Sequence, residues 1–355
     1  MSRTIALQKS ALLKNVEKLQ SISELALLQS RTRLLRYRVL QANRRGNNTS
    51  GTSKVLISRS FLTGELEQIE NSHTVERARY YLARLQKSLT TIKTSPINDL
   101  NLRRWKEHDE VLTDSLWILP RRDSTGGHSA WYWGNFVPQI PHQLMLRYTK
   151  AGEWVLDPFA GSGTTLLECV RLGRNGLGIE LNPTVAKKTK TAIQSASSRS
   201  ASRVHIEVGD SSSIPFRKTL TELGVGTVQL VILHPPYHDI IRFSKNKRDL
   251  SNARSTRDFL KLLGKVVDNS LRVLDGGRFL ALVIGDKYNN REWTPLGFLA
   301  MNEVLKRDCS LKSIVVKNFD QTAGKRTQGA LWRYRALAGG FYVFKHEYIF
   351  IFQKH

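Results

Sequence analysis

The chain has 355 residues, 40% of them hydrophobic, which suits one large core or a core with a smaller accessory domain. A formal charge of +25 argues against a cytosolic enzyme of small acidic metabolites and for a polyanionic partner, nucleic acid first. Two cysteines, Cys169 and Cys309, speak against a disulfide framework and a CxxC metal site, and no metal is expected. There is no apolar run long enough to span a membrane and no signal-peptide pattern at the N-terminus, so a cytoplasmic location without a membrane partner is expected.

Residues 1 to about 42 read as one or two helices, with apolar positions from Ile5 through Leu12, Leu13, Val16, Leu19 and Ile22 to Leu40. A polar loop, Gly46 to Thr52, follows, and helical patterning returns at Leu62–Ile69 and Thr74–Leu89. Residues 1–100 hold 17 Lys and Arg against 7 Asp and Glu. The expectation is a helical, basic accessory region over 1–110, for gripping DNA or for dimerisation, before a second domain over 111–355.

Between Asp114 and Tyr148 the chain is rich in aromatics, and two prolines, Pro138 and Pro141, prevent a long helix. A helix is expected from Leu144 to Tyr148, stopping at Gly152. Next comes Val155-Leu156-Asp157-Pro158-Phe159-Ala160-Gly161-Ser162-Gly163-Thr164-Thr165, a buried strand that breaks into a small-residue turn and resumes as a helix. Glycines at 161 and 163 would let backbone approach a ligand, and free N–H groups at the helix start would hold its polar parts. No lysine follows Gly163, which excludes a P-loop, and Leu166 stands where a GxGxxG turn needs glycine.

A second strand ends at Glu180, 23 residues past Asp157, the spacing of a βαβ unit whose second acid takes ribose hydroxyls. A third, Val204–Val208, ends at Asp210. Three strand-end acids on one sheet edge point to one ligand with several donors. Val228–Leu233 reads as a strand covered on both faces, ending in His234-Pro235-Pro236-Tyr237. His234 with His238 makes a poor metal pair, because the prolines oppose the helix that such spacing needs. A basic segment follows with Arg242, Lys245, Lys247 and Arg248, read as a mobile flap or phosphate clamp. A helix over Phe259–Val273 is expected to end at the glycines 276 and 277, before a buried strand over Phe279–Ile284. The stretch Lys312–Arg335, with Lys325 and Arg326 among aromatics, suits phosphate contact and base stacking. Phe341–Phe352 suits an antiparallel edge hairpin.

Asp157 to Thr165 resembles, without a gap, the DPFxGSGTT cofactor loop of amino-directed DNA methyltransferases, which methylate adenine N6 or cytosine N4. His234–Tyr237 resembles their catalytic tetrapeptide, which normally has Asp, Asn or Ser before the Pro-Pro-aromatic. The resemblance covers roughly residues 114–352. It implies an α/β fold, a Rossmann-like class I methyltransferase sheet, mostly parallel with an antiparallel C-terminal edge. It also implies S-adenosylmethionine as cofactor, with S-adenosylhomocysteine as product. Cofactor contacts are expected from Phe136, Pro138, Asp157, Phe159, Gly161, Ser162, Gly163, Thr164, Glu180 and Asp210, and catalysis from His234, Pro235, Pro236 and Tyr237. The Pro235 carbonyl and the residue at 234 would accept the two amine hydrogens, and Tyr237 would stack a flipped base. A histidine departs from the family pattern, because imidazole accepts there only when neutral and in the right tautomer. The implied function is a DNA methyltransferase of the restriction-modification kind, slightly favouring cytosine N4. DNA is the partner, and a restriction endonuclease and a second copy of the chain are candidates. The rival readings are an RNA-base methyltransferase and a non-catalytic DNA-binding protein of methyltransferase-like fold.

Overall fold

Apolar residues at alternate positions build two strands, one with Ile5 and Leu7 where the sequence suggested helix, the other with Val55 and Ile57 where it suggested no element. The computed structural model describes residues 4–41, 54–128, 131–197, 200–289, 292–318 and 329–355, and it divides into two units, Met1–Val111 and Leu112–His355. The expected loop Gly46–Thr52 lies outside the described residues.

In the first unit, β1 (Thr4–Gln8) leads into α1 (Lys9–Gln20) and α2 (Leu25–Gln41), and β2 (Lys54–Ser58) leads into α3 (Arg59–Glu70) and α4 (Val75–Thr90). The two strands pair antiparallel. Leu12, Val16 and Leu19 of α1 and Leu62, Leu66 and Ile69 of α3 meet in one core with Ile5 and Ile57. Side-chain oxygens of Ser58 and Thr74 accept from the Phe61 and Arg77 N–H groups, capping α3 and α4. Several of the arginines that make this region basic are tied internally. Arg33 and Arg36 lie 2.7 and 2.9 Å from the buried Glu70, and Arg84 lies 2.7 Å from the buried Glu65.

The second unit runs β3 (Leu116–Trp117), α5 (Gln139–Tyr148), β4 (Trp154–Asp157), α6 (Thr164–Leu172), β5 (Asn175–Glu180), α7 (Pro183–Ser197), β6 (Val204–Val208), α8 (Phe216–Glu222), β7 (Val228–Leu233), α9 (Thr256–Leu271), β8 (Leu274–Ile284), β9 (Lys287–Asn289), β10 (Glu292–Thr294), α10 (Leu296–Leu305), β11 (Cys309–Asn318), α11 (Gly329–Gly339) and β12 (His346–Lys354). Eight strands form one sheet in the order β3-β11-β12-β8-β7-β4-β5-β6. Strands β6, β5, β4, β7 and β8 are parallel, and β12 runs antiparallel to both β8 and β11. This is the expected mostly parallel, Rossmann-like α/β sheet. The chain moves outward from β4 through β5 to β6, then crosses over to β7 and β8, so the strand order reverses between β4 and β7. Such a reversal opens a crevice at the carboxyl ends of the strands.

Three expectations change. The C-terminal strand is not half of an edge hairpin, because β12 sits inside the sheet between β8 and β11. Its partner is β11, which takes the first part of the Lys312–Arg335 stretch into a ladder rather than leaving it as a surface segment. Helix α9 also ends at Leu271, before the glycines. Arg272 caps it in helical geometry, and Gly277 falls inside β8 with φ of 72°. No helix among the described residues is long and apolar enough to cross a membrane.

The core beneath the crevice is apolar on both sheet faces, with Val231, Leu233, Leu280, Leu282, Phe350 and Phe352 fully buried on one and Leu230, Ile232, Ala281, Val283 and Ile349 on the other. Phe350→Ala should cost about 3–5 kcal/mol by leaving a ring-sized void in a packed sheet. A urea midpoint that does not move would show that this strand is not part of the cooperative core.

Candidate active site

The turn from β4 into α6 is held from two sides. The Gly161 N–H donates to Glu180 Oε2 at 3.0 Å, and the Thr189 hydroxyl donates to the Gly161 carbonyl at 2.7 Å. Gly161 has φ of +50°, and a Cβ there would stand 3.0 Å from the Tyr132 ring, so the position tolerates no side chain. The Glu180 Oε1 accepts from the Asn182 N–H at 2.8 Å, and burial pushes its carboxyl above the ordinary range. Asp157 pairs across to Gly178, and Glu180 to Val208, so each acid along this edge stands two residues beyond its neighbour.

The three acids do not face the crevice equally. Glu180 and Asp210 line it, while Asp157 is 1% exposed and lies behind the turn. Asp157 Oδ1 accepts from the Phe159 N–H at 2.9 Å, which shapes the turn. Burial pushes the Asp157 carboxyl up to about 6. The neighbouring Thr165 hydroxyl and the Phe159 N–H oppose that rise. Gly163 is likewise absent from the lining. With φ of +80° and a Cβ position 2.5 Å from Thr189 Cγ2, its small size serves the approach of α7 rather than that of a ligand. Pro138 is buried at the start of α5 and off the lining as well. Phe136, Phe159, Gly161, Ser162 and Thr164 all line the crevice.

At the neighbouring strand end, His234, Pro235, Pro236 and Tyr237 form the opposite wall of the same cavity, whose volume is about 1200 Å³. The His234 ring lies 4.6 Å from the Phe136 ring and edge-on to Tyr237 at 5.7 Å. Behind them is a feature that the sequence reading missed. The Tyr237 hydroxyl donates to Glu347 Oε2 at 2.7 Å, and Glu347 Oε1 lies 3.1 Å from Lys317 Nζ, with both charged side chains almost fully buried. Glu347 belongs to β12 and Lys317 to β11, paired directly across the ladder. The trace in the sequence is faint, because β11 carries Lys312 and Lys317 and β12 carries Glu347 and Lys354, and nothing local marks which of them pair. Burial draws the His234 imidazole down to about 4, with Glu347 opposing and Lys317 assisting. It is therefore neutral at ordinary pH. Burial also lifts the Tyr237 phenol far above its usual range.

The third wall is the segment between β3 and α5. Arg122 donates to the Phe136 carbonyl at 2.9 Å, and the Asn135 and Ser162 side chains meet at 2.9 Å. The segment is anchored outside the cavity by the buried Glu168, which accepts from His128 Nε2 at 2.6 Å and His142 Nδ1 at 2.7 Å. Burial would raise that carboxyl, but the two histidines and Arg171 outweigh it and hold it at about 2.

The basic segment after the His-Pro-Pro-Tyr loop divides. Arg248 lines the main cavity, while Arg242, Lys245 and Lys247 line a separate groove with Arg254, Lys261 and Lys265. It is pinned rather than loose. Asp249 accepts from the Ser244 hydroxyl at 2.7 Å and from the Ser251 N–H at 2.9 Å, and Asn252 donates to the Ser244 carbonyl at 2.9 Å. Lys325 and Arg326 lie outside the described residues. His238 is occupied by Lys287 at 2.7 Å and the Ala253 carbonyl at 3.0 Å, and no cluster of three or more metal-ligating side chains occurs among the described residues.

Residues 35–191 match the family model described as DNA methylase, a span that includes the glycine turn and Glu180 and stops short of His234. Type II methyltransferase M.MjaII of Methanocaldococcus jannaschii is 42% identical over 52 residues, 15% of this chain and 10% of that protein. Type II methyltransferase M.Cfr9I of Citrobacter freundii is 38% identical over 69 residues, 19% of this chain and 22% of that protein. The chain thus spans only 10% and 22% of the length of these two curated relatives. Among solved structures, TrmN from Thermus thermophilus aligns with a TM-score of 0.41 at 17% identity, over 63% of this chain and 50% of that chain.

A histidine kept neutral by burial contributes its stability fully above its unfolded value, near about 6.5, and that contribution is lost as pH falls toward the folded value. His234 should accordingly titrate near 4 by NMR in the folded protein. A midpoint between 6 and 7, about the free imidazole value, would mean that the ring is not desolvated.

Proposed function

We propose that this relative of the amino-directed DNA methyltransferases moves a methyl group from S-adenosylmethionine to an exocyclic amine of a DNA base, cytosine N4 first and adenine N6 second. The observation that carries this is a single cavity with the glycine turn and Glu180 on one wall and the His-Pro-Pro-Tyr loop on another. The residues fit such a cofactor. Gly161 leaves a cradle beside Glu180, both Glu180 oxygens are already oriented by backbone N–H groups, and Asp210 is held by Ser212 at 2.9 Å. S-adenosylmethionine supplies an electrophilic methyl on a sulfonium. Glu180 would accept from ribose hydroxyls, and Phe136 and Phe159 would flank the apolar parts. The base would be flipped out of its stack into the cavity, with Tyr237 as its apolar wall.

A base amine is a weak nucleophile because its lone pair is delocalised into the ring. Two acceptors on its hydrogens favour a more tetrahedral nitrogen. The Pro235 carbonyl can be one of them. His234 can be the other, because its surroundings set its tautomer. Glu347 is paired with an ammonium and accepts the Tyr237 proton, so the Tyr237 oxygen is left as an acceptor. It lies 3.4 Å from His234 Nε2. The proton therefore belongs on Nε2, and Nδ1 is the bare acceptor. The Lys317–Glu347 pair thus acts at a distance on the residue at which this chain departs from its relatives.

Duplex DNA would run over the groove of Arg242, Lys245, Lys247, Lys261 and Lys265, whose contacts would be with phosphates. A cognate endonuclease would share the recognition sequence, in keeping with the Type II relatives.

Incubation with isotope-labelled S-adenosylmethionine and duplex DNA, followed by nucleoside mass spectrometry, should yield labelled N4-methylcytosine or N6-methyladenine. Label appearing only in RNA nucleosides, or in none, would overturn the reading. Glu180→Ala should weaken cofactor binding by about 1–3 kcal/mol, as for a lost charge-assisted hydrogen bond. Calorimetry on the folded variant decides this, and unchanged affinity would remove Glu180 from the cofactor site.

A further inference from the structure

The first unit is a tandem repeat of strand, helix, helix. Strand β1 begins at Thr4 and β2 at Lys54, and α1 begins at Lys9 and α3 at Arg59, the same offset in both cases. Helices α1 and α3 have 12 residues each, and α2 and α4 have 17 and 16. The buried positions also correspond, with Leu12, Val16 and Leu19 matching Leu62, Leu66 and Ile69. In the β1–β2 ladder Ala6 stands opposite Leu56, its own equivalent, while Thr4 faces Ser58 and Gln8 faces Lys54. A pseudo-two-fold axis therefore passes between Ala6 and Leu56. One chain forms what two identical strand–helix–helix copies would form as a dimer.

The two faces of the ribbon differ. Ile5, Leu7, Val55 and Ile57 point into the helical core. Thr4, Ala6, Lys54 and Leu56 point away and are exposed, Leu56 by 65%. An apolar residue so exposed at the centre of a short sheet has no role in the unit's own folding. The outer edge of β2 is closed, because Arg104 donates to the Leu56 carbonyl at 2.6 Å and Glu107 accepts from the Ser58 N–H at 2.7 Å. A third strand therefore cannot add at that edge.

We propose that this face is a DNA-reading β-ribbon that enters the major groove of a duplex and recognises sequence independently of the cavity in the second unit. The major groove admits a two-stranded ribbon, and ribbons of this kind read base edges there. The pseudo-dyad matches the local two-fold symmetry of the duplex, and the excess of 17 basic over 7 acidic residues in 1–100 supplies charge complementarity. Lys54 suits guanine O6 and N7, and Leu56 and Ala6 suit thymine methyl groups. Because Thr4 stands where the second repeat has Lys54, the two half-sites differ, and the sequence read is asymmetric. The inference shares the duplex partner with the proposed reaction and needs no methyl transfer.

The test is a binding selection from duplexes with a randomised core, using the full chain, followed by guanine-N7 methylation interference on the enriched duplex. Wild type should enrich an asymmetric motif with N7 interference. Lys54→Ala should lose affinity for it by roughly 5- to 150-fold and lose interference at one guanine. Leu56→Glu should abolish the preference, and both variants should keep the wild-type cofactor affinity and thermal midpoint, since both positions are exposed. An interference pattern unchanged in both variants, a preference for RNA in competition, or a Leu56→Glu variant that only dissociates a dimer of this chain would each overturn the proposal. Turnover of wild type on the enriched duplex is read separately. Its absence would defeat the proposed reaction and leave the binding result standing.

Discussion

Gly161 has both of its backbone polar groups committed, the N–H to Glu180 and the carbonyl to Thr189, and the geometry of the crevice depends on those two bonds. The first ties the turn to the end of β5, the second to α7. A buried charge-assisted bond of this kind is worth about 1.5–3 kcal/mol, more than a neutral one. It also fixes direction. One Glu180 oxygen accepts from Gly161 and the other from Asn182, so the carboxylate is held on both sides while the residue lines the cavity. Desolvation raises that carboxyl, so the same burial that fixes it makes an added hydrogen-bond donor there favourable.

The opposite wall is set by a buried ion pair rather than by backbone. Breaking a pair such as Lys317–Glu347 leaves one uncompensated charge in the interior and costs about 3–5 kcal/mol, although an apolar pair of equal volume would often serve stability as well. Stability is then a poor reason for its presence. Its geometric effect is clearer, since it orients the Tyr237 hydroxyl, and through that hydroxyl it bears on His234. An aspartate, asparagine or serine at position 234 would need no such support, because each offers an acceptor oxygen without choosing a tautomer.

The glycine turn and the His-Pro-Pro-Tyr loop were legible because each is contiguous and sits at a strand end that local apolar runs reveal. The parallel strands were legible for the same reason, being buried on both faces. What failed was long-range. Strand β11 reads as a basic surface segment until its partner β12 is known, and Lys317 and Glu347 become a pair only in that register. Strands β1 and β2 are each 5 residues long and run directly into helices, so the alternation of β1 was absorbed into a helical pattern and that of β2 was too short to stand out between a loop and a helix. The tandem repeat escaped notice because it keeps chemistry rather than identity, with Val16 matched to Leu66 and Leu19 to Ile69. Gly163 carries an ambiguity of a different kind. A glycine forced by helix packing against Thr189 has the same sequence signature as one that makes room for a ligand.

Charge divides the molecule in a way that its net value of +25 conceals. The cavity lining is mixed, with Glu180, Asp210, Asp249 and Glu347 beside Arg121, Arg122, Arg248 and Lys317, whereas the neighbouring groove is lined by Arg242, Lys245, Lys247, Arg254, Lys261 and Lys265 with Asp258 as its single acid. A polyanion is attracted by the summed field of many exposed cations, which acts over a distance of about 10 Å at ordinary salt and weakens as salt rises. A cationic sulfonium answers to near neighbours instead. Inside a partly desolvated cavity a single carboxylate at about 4 Å contributes on the order of 4 kcal/mol at an effective dielectric near 20. The two attractions therefore do not compete, because one is collective and external and the other is local and buried. A neutral His234 belongs to this division. Were it charged, it would repel the sulfonium of the proposed reaction and could not accept from the proposed amine, and burial holds it neutral down to about 4.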